Sequence, residues 1–258
     1  MTGEGRGAVV TGGGRGIGAE VARALAEAGF RVVVAARSEA EIAAIAAGLR
    51  QRGHDAHAVV CDVSDPESVE RLRRDAERVV GEVDVLVNNA GVASSSKFAR
   101  QSLEEWRQLF AVNVEGVFLV TRAFLPAMVE RGRGRVVNVA SIAGRTGAPY
   151  IAAYASTKHA VVGMTRALAA EVAASGVTVN AVCPFYVDTP MTDRSVENIA
   201  AKTGLDAGAA RERLVAANPQ GRMIGPDEVA FVVATLCDER ARGINGQAIG
   251  LDGGAFLG

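Results

Sequence analysis

Residues 11–18 read T-G-G-G-R-G-I-G, set between a short apolar run at 7–11 and an alanine-rich helical pattern at 19–28 that stops at Gly29. Few folds accept such a turn between a strand and a helix. The glycines let the backbone approach a pyrophosphate closely, and the helix start offers unpaired N–H groups and a partial positive charge. The spacing is T-G-x-x-x-G-x-G, with Gly12, Gly16 and Gly18 as its glycines, and not the commoner G-x-G-x-x-G. This context points to a dinucleotide turn made by Gly12, Gly14, Arg15, Gly16, Ile17 and Gly18. The plainer alternative is a tight turn between two packed elements.

Strand and helix patterns alternate along the rest of the chain. Strand patterns fall at 31–36, 56–61, 83–87, 136–140, 177–183 and 247–251. Helical patterns fall at 39–52, from 65 to about 80, from 103 to about 130, from the Tyr154 region to about 174, and from 226 to about 238. Residues 195–218 read as one or two mobile helices, and 189–218 is the expected substrate lid. Pro126 is expected to bend the far end of its helix. The chain has 258 residues, 49% of them hydrophobic, enough for one large core, and no linker or repeat divides it.

The formal charge is −1, so no basic field suggests nucleic acid. Cys61, Cys183 and Cys237 are far apart and form no C-x-x-C pair. They read as buried, reduced thiols of a cytoplasmic protein, with no metal site. Gly3, Glu4 and Arg6 interrupt any signal-like apolar start, and no apolar run is expected to span a membrane.

The second strand pattern ends Ala35-Ala36-Arg37, with no carboxylate before Glu39. An acid there would hold a free ribose 2′-hydroxyl. Arg37, with Arg15 from the glycine turn, suits a 2′-phosphate instead, which favours NADPH over NADH. Asp62-Val63 follows the third strand and reads equally well as an adenine edge or as a turn. Asn88-Asn89-Ala90-Gly91 follows the fourth. Small residues there allow close ligand approach, and the two amides can pin neighbouring strands.

Ser141 stands at the end of the strand at 136–140. After a Gly/Pro loop, Tyr154 and Lys158 lie four residues apart on a helix, hence on one face. A phenol, an ammonium and a hydroxyl would then share one space. Asn113 sits in an apolar helix interior, which requires a bonded partner. The ordinary explanation is a backbone bond or a helix kink, and the functional one adds a relay water. Ser94 lies in a small polar loop placed at the mouth of the cleft. The helix at 154–174 is apolar nearly all round, so cover on more than one side is expected.

Together these marks resemble the short-chain dehydrogenase/reductase family, from Thr11 to Gly254. They comprise T-G-G-G-R-G-I-G, N-N-A-G at 88–91, Asn113, Ser141 and Tyr154-x-x-x-Lys158. The ketoreductases of 3-oxoacyl thioesters and polyketides look nearest, through N-A-V-C-P and V-D-T-P-M at 180–191. The resemblance implies an α/β, Rossmann-like, doubly wound, mostly parallel seven-stranded sheet with helices on both faces. It implies Asn113, Ser141, Tyr154 and Lys158 as catalytic residues. NADP(H) would be held by the glycine turn, Arg37, Asp62, Val63, Asn89, Ala90, Gly91, Tyr154, Lys158, Val187 and Thr189. Ser94, Ser141, Tyr150, Tyr154, Phe185 and Tyr186 would meet a ketone or alcohol, and the assembly would be a homotetramer or homodimer. A non-catalytic NADP-binding sensor would lack one of the four catalytic residues, and a lyase or epimerase would carry a larger substrate domain. One departure stands out. The family has Pro-Gly where this chain has Pro184-Phe185. Phe185 with Tyr186 either walls the substrate pocket or turns into the protein.

Overall fold

The computed structural model describes residues 5–256. Seven strands form one sheet: β1 (Gly7–Thr11), β2 (Arg31–Ala36), β3 (Ala56–Val60), β4 (Val83–Asn88), β5 (Gly134–Val139), β6 (Val177–Pro184) and β7 (Ala248–Leu251). Their order is β3-β2-β1-β4-β5-β6-β7, and every pairing is parallel. Strands such as Ala8–Val10, Val85–Val87 and Val177–Pro184 are buried along their length because helices cover both faces.

The helices are α1 (Gly16–Glu27), α2 (Glu39–Gln51), α3 (Pro66–Val80), α4 (Leu103–Phe110), α5 (Gly116–Glu130), α6 (Ala152–Glu171), α7 (Pro190–Thr203), α8 (Ala207–Ala216) and α9 (Pro226–Cys237). One core packs Val21 and Leu25 of α1, Ile42 of α2 and Val229 and Val233 of α9 on the sheet. The other packs Leu72 of α3 with Val120, Phe124 and Met128 of α5 on the opposite face. The strand order reverses between β1 and β4, which opens a crevice at the carboxyl ends of those strands.

Several boundaries depart from the sequence reading. Helix α1 starts at Gly16, inside the glycine turn. Helix α6 ends at Glu171, before 174, because residues 173–175 tighten into a 3-10 turn closed by Gly176 at φ +77°. Helix α7 begins at Pro190, five residues early, because Thr189 stands at its cap and proline suits the first turn. Helix α5 continues past Pro126 to Glu130.

Helices α4 and α5 are joined by a π turn at Ala111–Glu115 into one rod, Leu103–Glu130. With a mean hydropathy of 1.4 over its most apolar window, this rod is long and apolar enough to cross a membrane, which corrects the expectation that no segment would be. Its apolarity has a local cause: Val117, Val120, Phe124 and Met128 pack beneath the sheet and against neighbouring helices.

Candidate active site

The crevice between β1 and β4 is built by close backbone approach. Gly12 and Gly16 have φ of +64° and +54°, the left-handed region glycine favours. A Cβ on Gly18 would lie 2.3 Å from the Gly12 carbonyl oxygen and 2.4 Å from Asn89 Nδ2. Asn89 fixes the turn by donating to the carbonyls of Thr11 and Gly12 at 2.9 and 3.0 Å. Thr11 Oγ1 accepts from the N–H groups of Asn89 and Ala90. Asn88 works inward, donating at 2.9 Å to both Thr121 of α5 and Asn138 of β5. The two adjacent asparagines therefore pin both the strands and the turn.

The resulting cleft, about 270 Å³, is lined by Gly12, Gly14, Arg15, Gly16 and Ile17 from the turn and by Arg37 beyond β2. Asp62, Val63, Asn89, Ala90, Gly91 and Thr189 line it as well. Arg37 is exposed at the rim. Arg15 also lies on the rim and forms a 3.0 Å ion pair with Glu41. Asp62 Oδ1 accepts from the N–H and hydroxyl of Ser64 at 2.9 and 2.6 Å, so it is a turn residue as well as a cleft residue. Burial would raise its carboxyl, but the Ser64 hydrogen bonds and the Arg37 charge hold it below the usual range.

Gly18, Tyr154, Lys158 and Val187, also expected to hold the cofactor, do not line this cleft. Gly18 is taken up by packing on Gly12 and Asn89. Val187 is buried and bridged to Ile224, and its carbonyl accepts from the hydroxyls of Thr192 and Thr189.

The reacting groups converge from β5 and α6. Ser141 follows β5, and its Oγ accepts from Ala143 N at 3.1 Å, which caps a short 3-10 turn. Tyr154, near the start of α6, is half-buried and lies beside Ser141. Burial pushes its phenol up to about 12; Ser141 opposes that rise, and the nearby Tyr186 phenol adds to it. Lys158 is buried, which pushes its ammonium down to about 8. Its Nζ donates to the Val139 carbonyl at 3.0 Å. A Cβ on Gly91 would lie 3.3 Å from Asn113 Oδ1 and 3.7 Å from Lys158 Nζ, so the cleft wall abuts both side chains.

Asn113 lies in the π turn, a distortion often found at functional positions. Its Oδ1 accepts from Val92 N at 2.8 Å, and its Nδ2 donates to Val92 O at 2.8 Å and to Thr157 Oγ1 at 3.1 Å. Both the backbone bond and the helix distortion are thus present. Sequence reading misses Val92, Thr157 and Val139, the partners that fix Asn113 and Lys158. Two of them act through the backbone, which no residue type announces.

The expected substrate contacts Ser94, Tyr150, Phe185 and Tyr186 do not line this cleft. Ser94 Oγ is buried without a hydrogen-bond partner. Tyr150 is exposed at φ +70°, and its carbonyl accepts from Ser96 N at 2.8 Å. Phe185 packs 4.6 Å from Tyr186 and 5.8 Å, edge-on, from Phe256. The third ring carries no signal in the sequence, because it comes from the far end of the chain. Helix α7 reaches the Ser94 loop: Asn198 donates to Ser95 Oγ at 2.8 Å and Lys202 to Ser95 O at 2.5 Å.

Comparison with known proteins agrees with this fold. Residues 6–200 match the family described as short chain dehydrogenase. A protein of Streptomyces coelicolor, provisionally named a ketoacyl reductase, is 41% identical over 249 residues, 96% of this chain and 95% of the relative. A 3-oxoacyl-(acyl-carrier-protein) reductase of Aquifex aeolicus is 37% identical over 254 residues, 98% of each chain. A crystal structure of an actinorhodin polyketide ketoreductase variant with NADPH superposes with a TM-score of 0.94 at 41% identity, covering 97% of each chain.

Proposed function

The chain belongs to the short-chain dehydrogenase family, and on that premise we propose that it is an NADPH-dependent ketoreductase, with the alcohol oxidation as its reverse and Tyr154 as proton donor. One observation carries this reading: Ser141, Tyr154 and Lys158 stand close together beside a glycine-built cleft, with the Lys158 ammonium near its wall at Gly91.

The residues present fit the cofactor. The space a Cβ would fill at Gly12 and Gly18 is what a close-lying backbone turn needs, and Arg15 and Arg37 put two cations at one rim for a 2′-phosphate. Asp62 and Val63 would border the adenine, and Asn89, Ala90 and Gly91 the sugar. Thr189, which lines the cleft, would meet the carboxamide. The cofactor, when bound, supplies the hydride. Tyr154, neutral at pH 7 with a pKa near 12, holds the proton that goes to the carbonyl oxygen. Lys158 stabilises the phenolate left behind. Ser141 donates to the oxygen as negative charge grows there. Asn113 holds the α4–α5 rod against Val92 and Thr157 and so fixes the wall behind Lys158.

Ser94, Tyr150, Phe185 and Tyr186 would contact substrate, and α7 with α8 would act as a lid over residues 189–218 within one catalytic domain. The outer face of α6 exposes Gly163, Ala167 and Ala170, and α5 exposes Phe118, which suits a homotetramer. The buried free thiols suit a reducing, cytoplasmic setting. Consumption of NADPH absorbance with a panel of cyclic ketones and 3-oxoacyl thioesters tests the function, and no turnover with any would contradict it. The thioesters test a second reading, a 3-oxoacyl-thioester reductase, which the Aquifex relative favours.

A further inference from the structure

At the amino ends of the strands, on the side of the sheet away from Ser141 and Tyr154, lies a second cavity of about 420 Å³. Four arginines line it, Arg6, Arg133, Arg135 and Arg242, against two carboxylates, Asp84 and Glu239. The carboxylates are engaged: Glu239 pairs with Arg6 at 2.9 Å and Asp84 with Arg133 at 2.9 Å. Among the described residues no carboxylate lies within ion-pairing distance of Arg135 or Arg242.

Arg135 is placed like one jaw of an anion clamp. Its Nη1 donates to the carbonyls of Gly134 and Gly176 at 2.8 and 3.2 Å, which locks the guanidinium in place. Its Nε is buried with no partner. The Nε edge of a guanidinium is one that matches the paired oxygens of a phosphate or carboxylate. Thr178 Oγ1, also buried and unpartnered, is the second donor. Arg135 and Thr178 are register partners on β5 and β6, so their side chains rise side by side from one face of the sheet. Asp84 Oδ2, unpartnered as well, can accept from the hydroxyl of monohydrogen phosphate. Burial chiefly depresses the Arg135 guanidinium; Arg6 and Arg242 add to this, while Cys237 and Glu239 oppose it.

We propose that this cavity binds a phosphate group, free or as a monoester, through Arg135, Thr178 and Arg242, apart from the nucleotide cleft. A ligand that binds only the folded state raises its melting temperature. The test is thermal unfolding with saturating NADP+, so that the nucleotide cleft is filled, in inorganic phosphate or in sodium chloride of equal ionic strength. Phosphate is expected to raise Tm above the chloride control by about 2 °C or more. Arg242→Gln, at an exposed position, and Thr178→Val are each expected to remove that increment while leaving NADPH turnover unchanged. Methyl phosphate is the second probe: an equal shift identifies a monoester site, and a shift with inorganic phosphate alone identifies a site for the free ion. No phosphate-specific increment, or one that survives in both variants, overturns the proposal. The inference is independent of the proposed activity, which the turnover assay reads separately.

Discussion

The Nζ of Lys158 lies 5.7 Å from the centre of the Tyr154 ring, and its hydrogen bond to the Val139 carbonyl ties it to the end of β5. An ammonium and a phenol thus stand close together one helical turn apart. Burial drives each toward its neutral form, the lysine down to about 8 and the tyrosine up to about 12.

The lysine charge should cost stability in the unliganded protein. Its folded pKa lies below the unfolded value of 10.5, so between about 8 and 10.5 the unfolded chain binds more protons. The cost is therefore complete below pH 8 and fades as pH rises to 10.5. Lys158→Met should be more stable than the parent at pH 7, by about 3 kcal/mol at most, with the gap closing across that window. Urea denaturation at pH 7, 9 and 10.5 measures it, and a gap that does not change with pH would contradict the burial argument.

Asn113→Ala should weaken both fold and turnover. It deletes three hydrogen bonds and leaves Val92 N and O to find other partners. A loss of about 1–3 kcal/mol in stability is expected, with kcat lowered because the wall behind Lys158 loosens. Calorimetry and steady-state kinetics on the same preparation check both parts.

Arg37 stands exposed at the cleft rim, where β2 ends without an acid. Arg37→Ala should lower kcat/KM for NADPH by about 10- to 100-fold, as loss of one charge-assisted bond implies, and leave that for NADH nearly unchanged. Equal losses with both cofactors would remove Arg37 from its assigned place.

Gly18→Ala would put a methyl group 2.3 Å from the Gly12 carbonyl oxygen. The turn must then open. NADPH affinity, followed by fluorescence titration, should fall by at least about tenfold, the equivalent of about 1.4 kcal/mol.

The strands and most helices are legible in the sequence because buried parallel strands read as unbroken apolar runs, and the glycine turn marks where β1 gives way to α1. Asn88, Asn89 and Ser141 are legible for the same reason: they stand just past such runs. Other features are hidden. Val139 and Val92 serve through backbone atoms, so their side chains carry no signal. The π turn at Asn113 inserts one residue into an otherwise regular helical pattern, which apolar spacing alone does not resolve. Phe256 meets Phe185 only because β7 lies beside β6, and α7 starts early with Pro190 in its first turn. The pairing of Arg15 with Glu41 is hidden too, because it depends on α2 lying across the turn.

The central claim is that the Tyr154 hydroxyl delivers the proton. Tyr154→Phe removes one oxygen from a half-buried ring and leaves the cleft lining intact. Single-turnover oxidation of bound NADPH by a ketone, compared between parent and variant, measures the step directly. The account predicts NADPH binding within about threefold of the parent, less than 1 kcal/mol, and a hydride-transfer rate lower by about 10²- to 10⁴-fold. A rate near that of the parent, with the cofactor bound, would contradict it.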